Sequence, residues 1–340
     1  MNRKIRFYSV PINLKTLMKR VVFQHFGKPA DILHVEEVNP LTPGPDEVLI
    51  RVLASPINPS DIMFVQNLYG IRPQLPSGAG FEGVGVIEQA GTNVKLGTGT
   101  RVSFTAIGAW SEYVLTNHRT LIPVPEAMSD EVAAQLFVNP FTAVAMVEES
   151  GVKADEWLMI TACASALGKM VIQICKMRGI KTIGTVRRND LNEELKALGI
   201  DEIINTEEEN VPKKVQQITN HEGVRAVLEC VGGHTASEAL KCMGRGGVML
   251  VYGLMSLQDP NINFGLMIFR ELVVKGFWLT DWMKRTDAAT RHRVAGEVIE
   301  LLATGKVQMP IEAAYSLDEV AKAVTHAEAH GRWGKVLIKP

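Results

Sequence analysis

The stretch Glu156-Trp157-Leu158-Met159-Ile160-Thr161-Ala162-Cys163-Ala164-Ser165-Ala166-Leu167-Gly168 decides the fold. It opens as an apolar run with strand character and then turns through small residues. The chain continues as Lys169-Met170-Val171-Ile172-Gln173-Ile174-Cys175-Lys176, with apolar positions at helical spacing. Strand, small-residue turn and helix make the opening of a dinucleotide-binding βαβ unit. Such a turn lets backbone N–H groups approach a pyrophosphate, and the helix N-terminus adds positive potential. The usual G-x-G-x-x-G positions fall on Cys163, Ser165 and Gly168, so only the last is glycine. As a motif alone this is weak, because a plain buried strand–turn–helix has the same pattern.

The next segment sharpens the reading. Lys181-Thr182-Ile183-Gly184-Thr185-Val186 is a second strand, followed directly by Arg187-Arg188. An NAD site calls for Asp or Glu at that strand's end, bonded to the ribose 2′-OH. Two arginines suit a 2′-phosphate instead, through bidentate charge-assisted bonds. The sharper expectation is therefore NADPH, and the bland one a solvated basic loop.

Working outward, strands and helices alternate. Strands are expected at Trp157–Ala162, Thr182–Val186, Glu202–Asn205, Ala226–Val231 and Val248–Gly253, with Leu272–Thr280 as a possible last one. Helices are expected at about Lys169–Arg178, Asn192–Leu198, Val211–Thr219 and Thr235–Met243. That alternation implies a doubly wound parallel sheet with helices on both faces, over residues 129–280. Before it the pattern is β-rich. Arg20–Phe23, Glu47–Ala54, Gly83–Ala90, Thr100–Phe104 and Gly108–Val114 read as short strands between glycine and proline turns, which fits a partly closed barrel. Residues 19–128 and 281–340 are assigned to that domain, the helix at His292–Ala303 and the strand Lys335–Ile338 returning to it.

A chain of 340 residues is long enough for two cores. A formal net charge of -1 and 46% hydrophobic residues give no electrostatic footprint for nucleic acid or an anionic membrane. No apolar run approaches the ~20 residues that span a bilayer. Cys163, Cys175, Cys230 and Cys242 form no C-x-x-C pair and read as buried thiols in a reducing compartment. Residues 1–18 are read as an extension of a cytoplasmic protein. The alternative is a mitochondrial transit peptide, since Met1–Arg20 carries Arg3, Lys4, Arg6, Lys15, Lys19 and Arg20 with no acid before Asp31.

Several segments together resemble one family. They are Ile57-Asn58-Pro59-Ser60-Asp61-Ile62, Tyr69-Gly70, Glu82-Gly83-Val84-Gly85, Val138-Asn139-Pro140-Phe141-Thr142-Ala143, Tyr252-Gly253-Leu254-Met255 and Gly276-Phe277-Trp278-Leu279. The chain after Met18 resembles the zinc-independent medium-chain dehydrogenase/reductase proteins. Within them it is most similar to NADPH-dependent 2-enoyl thioester reductases, with quinone oxidoreductases next. The resemblance implies an α/β fold: a GroES-like, partly open β-barrel catalytic domain and a Rossmann NADP-binding domain.

Chemistry bears on the metal. In zinc-dependent relatives a Cys stands where Asn58 is and a His where Phe81 is, and neither Asn nor Phe replaces those ligands. Without a Lewis acid, alcohol dehydrogenation is disfavoured. Hydride addition to an activated C=C or a quinone has no such need.

By the resemblance, Tyr69 is the proton donor. A phenol of pKa ~10 stays protonated at neutral pH yet can deliver a proton to carbon. The alternative is that Tyr69 packs in a loop. Asn58 is expected to hydrogen-bond cofactor or substrate, or to cap a turn. Asn139 and Thr142 resemble residues near the nicotinamide ribose, or are helix caps. By the same resemblance, Ala164, Ser165, Ala166 and Leu167 are expected to line the pyrophosphate, and Arg187, Arg188 and Asn189 to meet the 2′-phosphate. Tyr252, Gly253 and Met255 sit at a strand's carboxyl end, and Phe277, Trp278 and Leu279 flank the cofactor or are ordinary core. Lys335 pairs with a phosphate or is solvated. Cys163 and Ser165 depart from the glycine pattern, and Asn67-Leu68 departs from the usual glycine-containing lead-in to Tyr69.

Three functions are therefore in view: an enoyl thioester reductase, a quinone or small-enone reductase, and a non-catalytic NADPH-binding protein. A homodimer is expected by analogy, through the apolar runs Val248–Tyr252 and Leu272–Leu279.

Overall fold

The structure, a computed structural model, describes residues 17–340, so most of the basic N-terminal stretch lies outside the described residues. Met18 itself is the buried first residue of a strand, so the folded chain takes in the last residue of the expected extension. Two compact units are present. The first comprises the chain up to Pro123 with Tyr315–Glu328 and Ile338–Pro340; the second comprises Val124–Ala314 with Ala329–Leu337.

The first unit holds strands β1 (Met18–Phe23), β2 (His34–Val38), β3 (Glu47–Pro56), β4 (Ser77–Gly78), β5 (Glu82–Ala90), β6 (Arg101–Thr105), β7 (Tyr113–Asn117) and β8 (Leu121–Pro123). Its helices are α1 (Pro29–Ile32) and α2 (Pro59–Val65). An antiparallel ladder runs β7–β3–β5–β6–β8, and β2–β1–β4 form a smaller sheet. Alternation on β3 turns Val48, Ile50 and Val52 inward against Ile87, Val102, Phe104 and Val114, which makes the core of the ladder. Gly85 permits the tight β3–β5 approach: a Cβ there would lie 2.4 Å from the Arg51 carbonyl oxygen. The strand expected at Gly108–Val114 begins later, at Tyr113. Trp110 is instead buried in a bend, its Nε1 donating to the Pro56 carbonyl at 3.2 Å.

The second unit opens with helices α3 (Asp130–Ala134) and α4 (Val138–Glu149). Strands β9 (Trp157–Ile160), β10 (Lys181–Val186), β11 (Glu202–Asn205), β12 (Val224–Glu229), β13 (Met243–Val251) and β14 (Val273–Gly276) alternate with α5 (Ala166–Met177), α6 (Asn192–Leu198), α7 (Val211–Ile218), α8 (Gly233–Cys242) and α9 (Phe264–Arg270). Helices α10 (Leu279–Arg285) and α11 (Ala288–Ala303) follow. The chain closes with β15 (Ile311–Tyr315), α12 (Val320–Glu328) and β16 (Lys335–Ile338). The six strands β9–β14 are parallel in the order β11-β10-β9-β12-β13-β14. The order reverses between β9 and β12, the place where such sheets bind ligands at the strands' carboxyl ends. The apolar run of β9 and the buried Ala226, Val227 and Leu228 of β12 follow from helices covering both faces. On one face Met159, Ile183, Val215, Val227 and Leu240 form the core.

Three differences from expectation have physical causes. The segment 281–314, assigned above to the barrel domain, clusters with the second unit. Helix α11 is fastened to α4 by Arg293, whose Nη1 and Nη2 donate to Glu148 at 2.8 and 2.7 Å, while Glu297 takes Arg178 at 2.6 Å. The run Leu272–Thr280 is a strand only to Gly276, because α10 begins at Leu279. Finally, Val248–Tyr252 belongs to β13, which lies between β12 and β14 and is no edge.

Candidate functional site

In the second unit the turn after β9 carries the fingerprint. Ala162 takes the left-handed conformation, with φ at +47°. Ser165 is the N-cap of α5, its hydroxyl accepting from the Gly168 N–H at 3.1 Å. Gly168 is the one fingerprint glycine, and the reason is steric: a Cβ there would lie 2.5 Å from the Cys163 carbonyl oxygen. At Cys163 a side chain replaces the first glycine and is accommodated across the sheet. A Cβ on Gly184 of β10 would stand 2.4 Å from the Cys163 Sγ, so the missing glycine has in effect moved to position 184. Ala164 and Ser165 thus border a backbone turn at a helix N-terminus, with Ala166 and Leu167 as the first helical residues.

Arg187 and Arg188 follow β10 and are exposed. The Arg187 Nη2 lies 3.5 Å from the His330 Nδ1, and Arg188 pairs with Asp190 at 3.4 Å. A Cβ on Gly331 would meet the Arg188 guanidinium at 2.9 Å, so the segment after α12 touches both arginines and leaves them exposed. Asn189 has a structural task. Its Nδ2 donates to both Glu208 oxygens, at 3.2 and 3.1 Å, and its Oδ1 accepts from Asn205 at 3.1 Å.

At the start of α4, Asn139 is helical rather than a cap, and the Thr142 hydroxyl donates to the Val138 carbonyl at 2.6 Å. At the carboxyl end of β13, the Tyr252 hydroxyl is buried and its pKa pushed well up by burial. Gly253 packs on Cys230, since a Cβ there would meet the Cys230 Cβ at 2.9 Å. Met255 is exposed, its Sδ 3.8 Å from the Cys230 Sγ. Phe277 is buried and extends the β13–β14 ladder, its N–H donating to Val251 at 2.8 Å; Trp278 caps α10 and Leu279 begins it.

Sequence reasoning missed a buried polar group at the switch point. The Glu229 carboxylate, at the end of β12, accepts from the Val231 N–H at 2.8 Å, from the Gly232 N–H at 3.1 Å and from the Thr161 hydroxyl at 3.3 Å. Burial raises its pKa, against the lowering effect of those donors. It ties β9 to β12 across 68 residues, a separation no local spacing rule can detect. Also missed was Lys169, in the first turn of α5. A third omission was a cavity of about 130 Å³ at the strands' carboxyl ends, lined by Thr185, Thr206, Asn210, His234 and Thr235 among others.

The first unit carries the other candidates. Asn58 is the N-cap of α2. Its N–H donates to the Asp61 carboxylate at 2.7 Å, and its Nδ2 to the buried Glu82 at 2.7 Å. Tyr69 lies just beyond α2, its ring 5.4 Å from that of Phe81, which in turn packs at 4.9 Å on Phe64. Asn67 adopts φ +58°, supplying the left-handed turn that a glycine would otherwise provide before Tyr69. Zinc does not fit here: Asn58 points amide donors at Glu82, and Phe81 offers no ligand. No group of three or more His, Cys, Asp or Glu able to hold a metal is found among the described residues.

Known proteins share this arrangement. A family model described as alcohol dehydrogenase GroES-like domain matches residues 44–126, and one described as zinc-binding dehydrogenase matches 166–331. The mitochondrial enoyl-[acyl-carrier-protein] reductase of Caenorhabditis elegans is 33% identical over 91% of each chain. The solved structure of Escherichia coli quinone oxidoreductase complexed with NADPH superposes with a TM-score of 0.88 at 28% identity, over 95% of this chain and all of that one. The structure of an Etr1p/NADP/crotonyl-CoA complex does so with a TM-score of 0.84 at 26% identity, again over 95% and 100%. With both family models matched and a relative 33% identical over 91% of each chain, this protein, a barrel unit joined in one chain to a six-stranded parallel sheet, is a member of the medium-chain dehydrogenase/reductase superfamily.

Proposed function

We propose that this protein is an NADPH-dependent reductase of an activated C=C, a 2-enoyl thioester, with Tyr69 as the proton donor. The observation that carries the proposal is the pairing of two residue sets. One is a 2′-phosphate-type loop, Arg187-Arg188, after the second strand of the sheet. The other is a tyrosine held by the Phe81 ring beyond a helix whose cap replaces a metal ligand. The sequence likeness to an enoyl-[acyl-carrier-protein] reductase supports the thioester over other acceptors.

NADPH, when bound, supplies the hydride. The protein's part is to bind, orient and protonate. The α5 N-terminus, with Ser165 and Gly168 shaping the turn, receives the diphosphate, and a Cβ at Gly168 would close that turn. Arg187 and Arg188 would receive the 2′-phosphate, while Lys335 on β16 is buried at 5% exposure, which leaves out the solvated alternative for it. Were hydride delivered to Cβ, the Tyr69 hydroxyl would give its proton to Cα as the enolate collapses, and the phenolate left behind would be reprotonated from solvent.

A second reading, reduction of a quinone or small enone, is favoured by the closeness of fold to quinone oxidoreductase. A non-catalytic NADPH-binding protein is the third. NADPH oxidation with crotonyl thioester, with a quinone and with no acceptor separates them. Thioester turnover that falls by roughly 10²-fold or more in Tyr69→Phe supports the first. Quinone turnover indifferent to Tyr69→Phe supports the second. Tight NADPH binding without turnover supports the third.

A second copy of this chain is the partner we infer, joined at β14, the sheet's outer strand beside the exposed Phe264, Ile268 and Phe269 of α9. Light scattering that gives a monomer mass would refute it. For location, the Caenorhabditis elegans relative is named mitochondrial. The basic, acid-free Met1–Arg20 stretch suits import there. Fractionation decides between that and the cytoplasm.

A further inference from the structure

Lys169 is out of place among its neighbours. It sits in the first turn of α5, between Gly168 and Met170, yet it is only 2% exposed. Its Nζ donates to the carbonyl of Trp333 and stands 3.9 Å from the centre of the Trp333 ring. Trp333 belongs to a segment fixed on its other side too. Its N–H and that of Gly334 both donate to Glu312 Oε2 at 3.1 Å, and the Lys335 N–H donates to Pro310 at 2.9 Å. The same segment carries Arg332 and Lys335, whose charges act on Lys169 together with that of Glu312. Lys169 thus joins two distant parts of the chain, the first turn of α5 and the segment that carries Arg332 and Lys335.

We propose that Lys169 is a positioning residue for cofactor binding: its ammonium clamps the Arg332–Lys335 segment onto the first turn of α5, and so fixes the helix end at which the cofactor's diphosphate would be received. This rests on the NADPH reading above. The clamp has two parts, a charge-assisted bond to a carbonyl and a cation on an aromatic face; losing the proton on Lys169 weakens the first to a neutral amine bond and removes the second. Burial first, with help from Arg332 and Lys335 and against the pull of Glu312, brings the pKa of Lys169 down to about 8. The clamp is therefore closed at neutral pH and loosens as pH rises through that value. An anionic ligand nearby favours the charged form, so binding above pH 8 draws a proton onto Lys169.

The test uses the whole chain with NADPH as the probe. Without cofactor, tryptophan fluorescence of the wild type should change with a midpoint near pH 8. The change should be absent in Lys169→Met and in Trp333→Phe. By calorimetry, wild-type affinity for NADPH should fall roughly tenfold between pH 7 and 9.5, with proton uptake at pH 8.5 read from buffers of different ionisation enthalpy. Lys169→Met should bind roughly tenfold more weakly at pH 7 with a flat profile, and Lys169→Arg should restore tight binding. Wild-type-like affinity and pH profile in Lys169→Met overturn the proposal. A wild type that does not bind NADPH at any pH overturns the cofactor reading instead, while the Trp333 titration still reports the clamp.

Discussion

Gly184→Ala tests the idea that a glycine of the phosphate turn has been exchanged across the sheet. The added methyl carbon would lie 2.4 Å from the Cys163 Sγ, 2.4 Å from the Ile200 Cδ1 and 2.8 Å from the Cys163 Cβ. Each contact is about 1 Å inside ordinary van der Waals distance. Ile200 can swing its terminal methyl aside. Cys163 cannot retreat, because its backbone is pressed under Gly168, where even a Cβ would come within 2.5 Å of the Cys163 carbonyl. Forcing one methyl group into a packed core costs about 2 kcal/mol. For a unit of this size that lowers the midpoint of thermal unfolding by about 4–8 °C. Cys163→Ala alone loses a buried sulfur and should cost about 1 kcal/mol. Combined, the two changes should cost less than their sum, since the new methyl enters the space the sulfur leaves while the Cβ at position 163 still stands 2.8 Å away. The coupling is then about 1 kcal/mol in favour of the double variant. Urea denaturation of the four proteins measures it. Gly184→Ala as stable as the wild type, or costs that simply add, would refute the exchange.

Further outcomes follow from the same structure. Arg187→Glu should raise the KM for NADPH at least tenfold more than that for NADH; equal effects would remove the 2′-phosphate assignment. Asn58→Asp would set a second carboxylate 2.7 Å from Glu82 in a buried place. It should cost on the order of 3 kcal/mol at pH 7. The sign is that of a raised carboxyl pKa: the variant binds more protons folded than unfolded, so stability returns as pH falls towards 5 and is lost as it rises. The thiols of Cys163, Cys175 and Cys242 are pushed up by burial to about 12, and that of Cys230 to about 11. Ellman's reagent at pH 8 should therefore find no reactive thiol in the native protein and four in urea, and a fast-reacting native thiol would contradict their burial.

What could be read from the sequence, and what could not, divides along the distance over which each feature is determined. The parallel sheet was legible because β9 is apolar on both faces and because short strand-like runs alternate with helices at short range. Helix α6 and strand β11 fall where periodicity put them. Other features depend on partners far along the chain. The expected return to the barrel at residue 281 failed on the Arg293–Glu148 pair, 145 residues apart, which holds α11 to α4. The expected strand at Gly108 failed because Trp110 spends its indole N–H on Pro56, 54 residues back. The degraded fingerprint looked like weak support for a dinucleotide site only while its three positions were read alone; Gly184, on the neighbouring strand, restores the space.

Lys169 shows what local reading can still offer. In α5 the residues from Leu167 to Cys175 are all buried, and a lysine among them breaks the apolar pattern. Natural sequences are consistent across levels, and their local conflicts concentrate at functional sites. A lysine in the first turn of a phosphate-type helix is also set against the helix dipole, which disfavours positive charge there. Burial, dipole and two neighbouring cations oppose its charge and only Glu312 favours it from nearby, so what the clamp or an anionic ligand gains must make up the difference. A methionine of similar shape would fill the same space without that cost. If Lys169→Met proves more stable than the wild type while binding NADPH more weakly, stability has been given up for binding at this position; a variant both more stable and equally tight would leave the lysine without a physical reason.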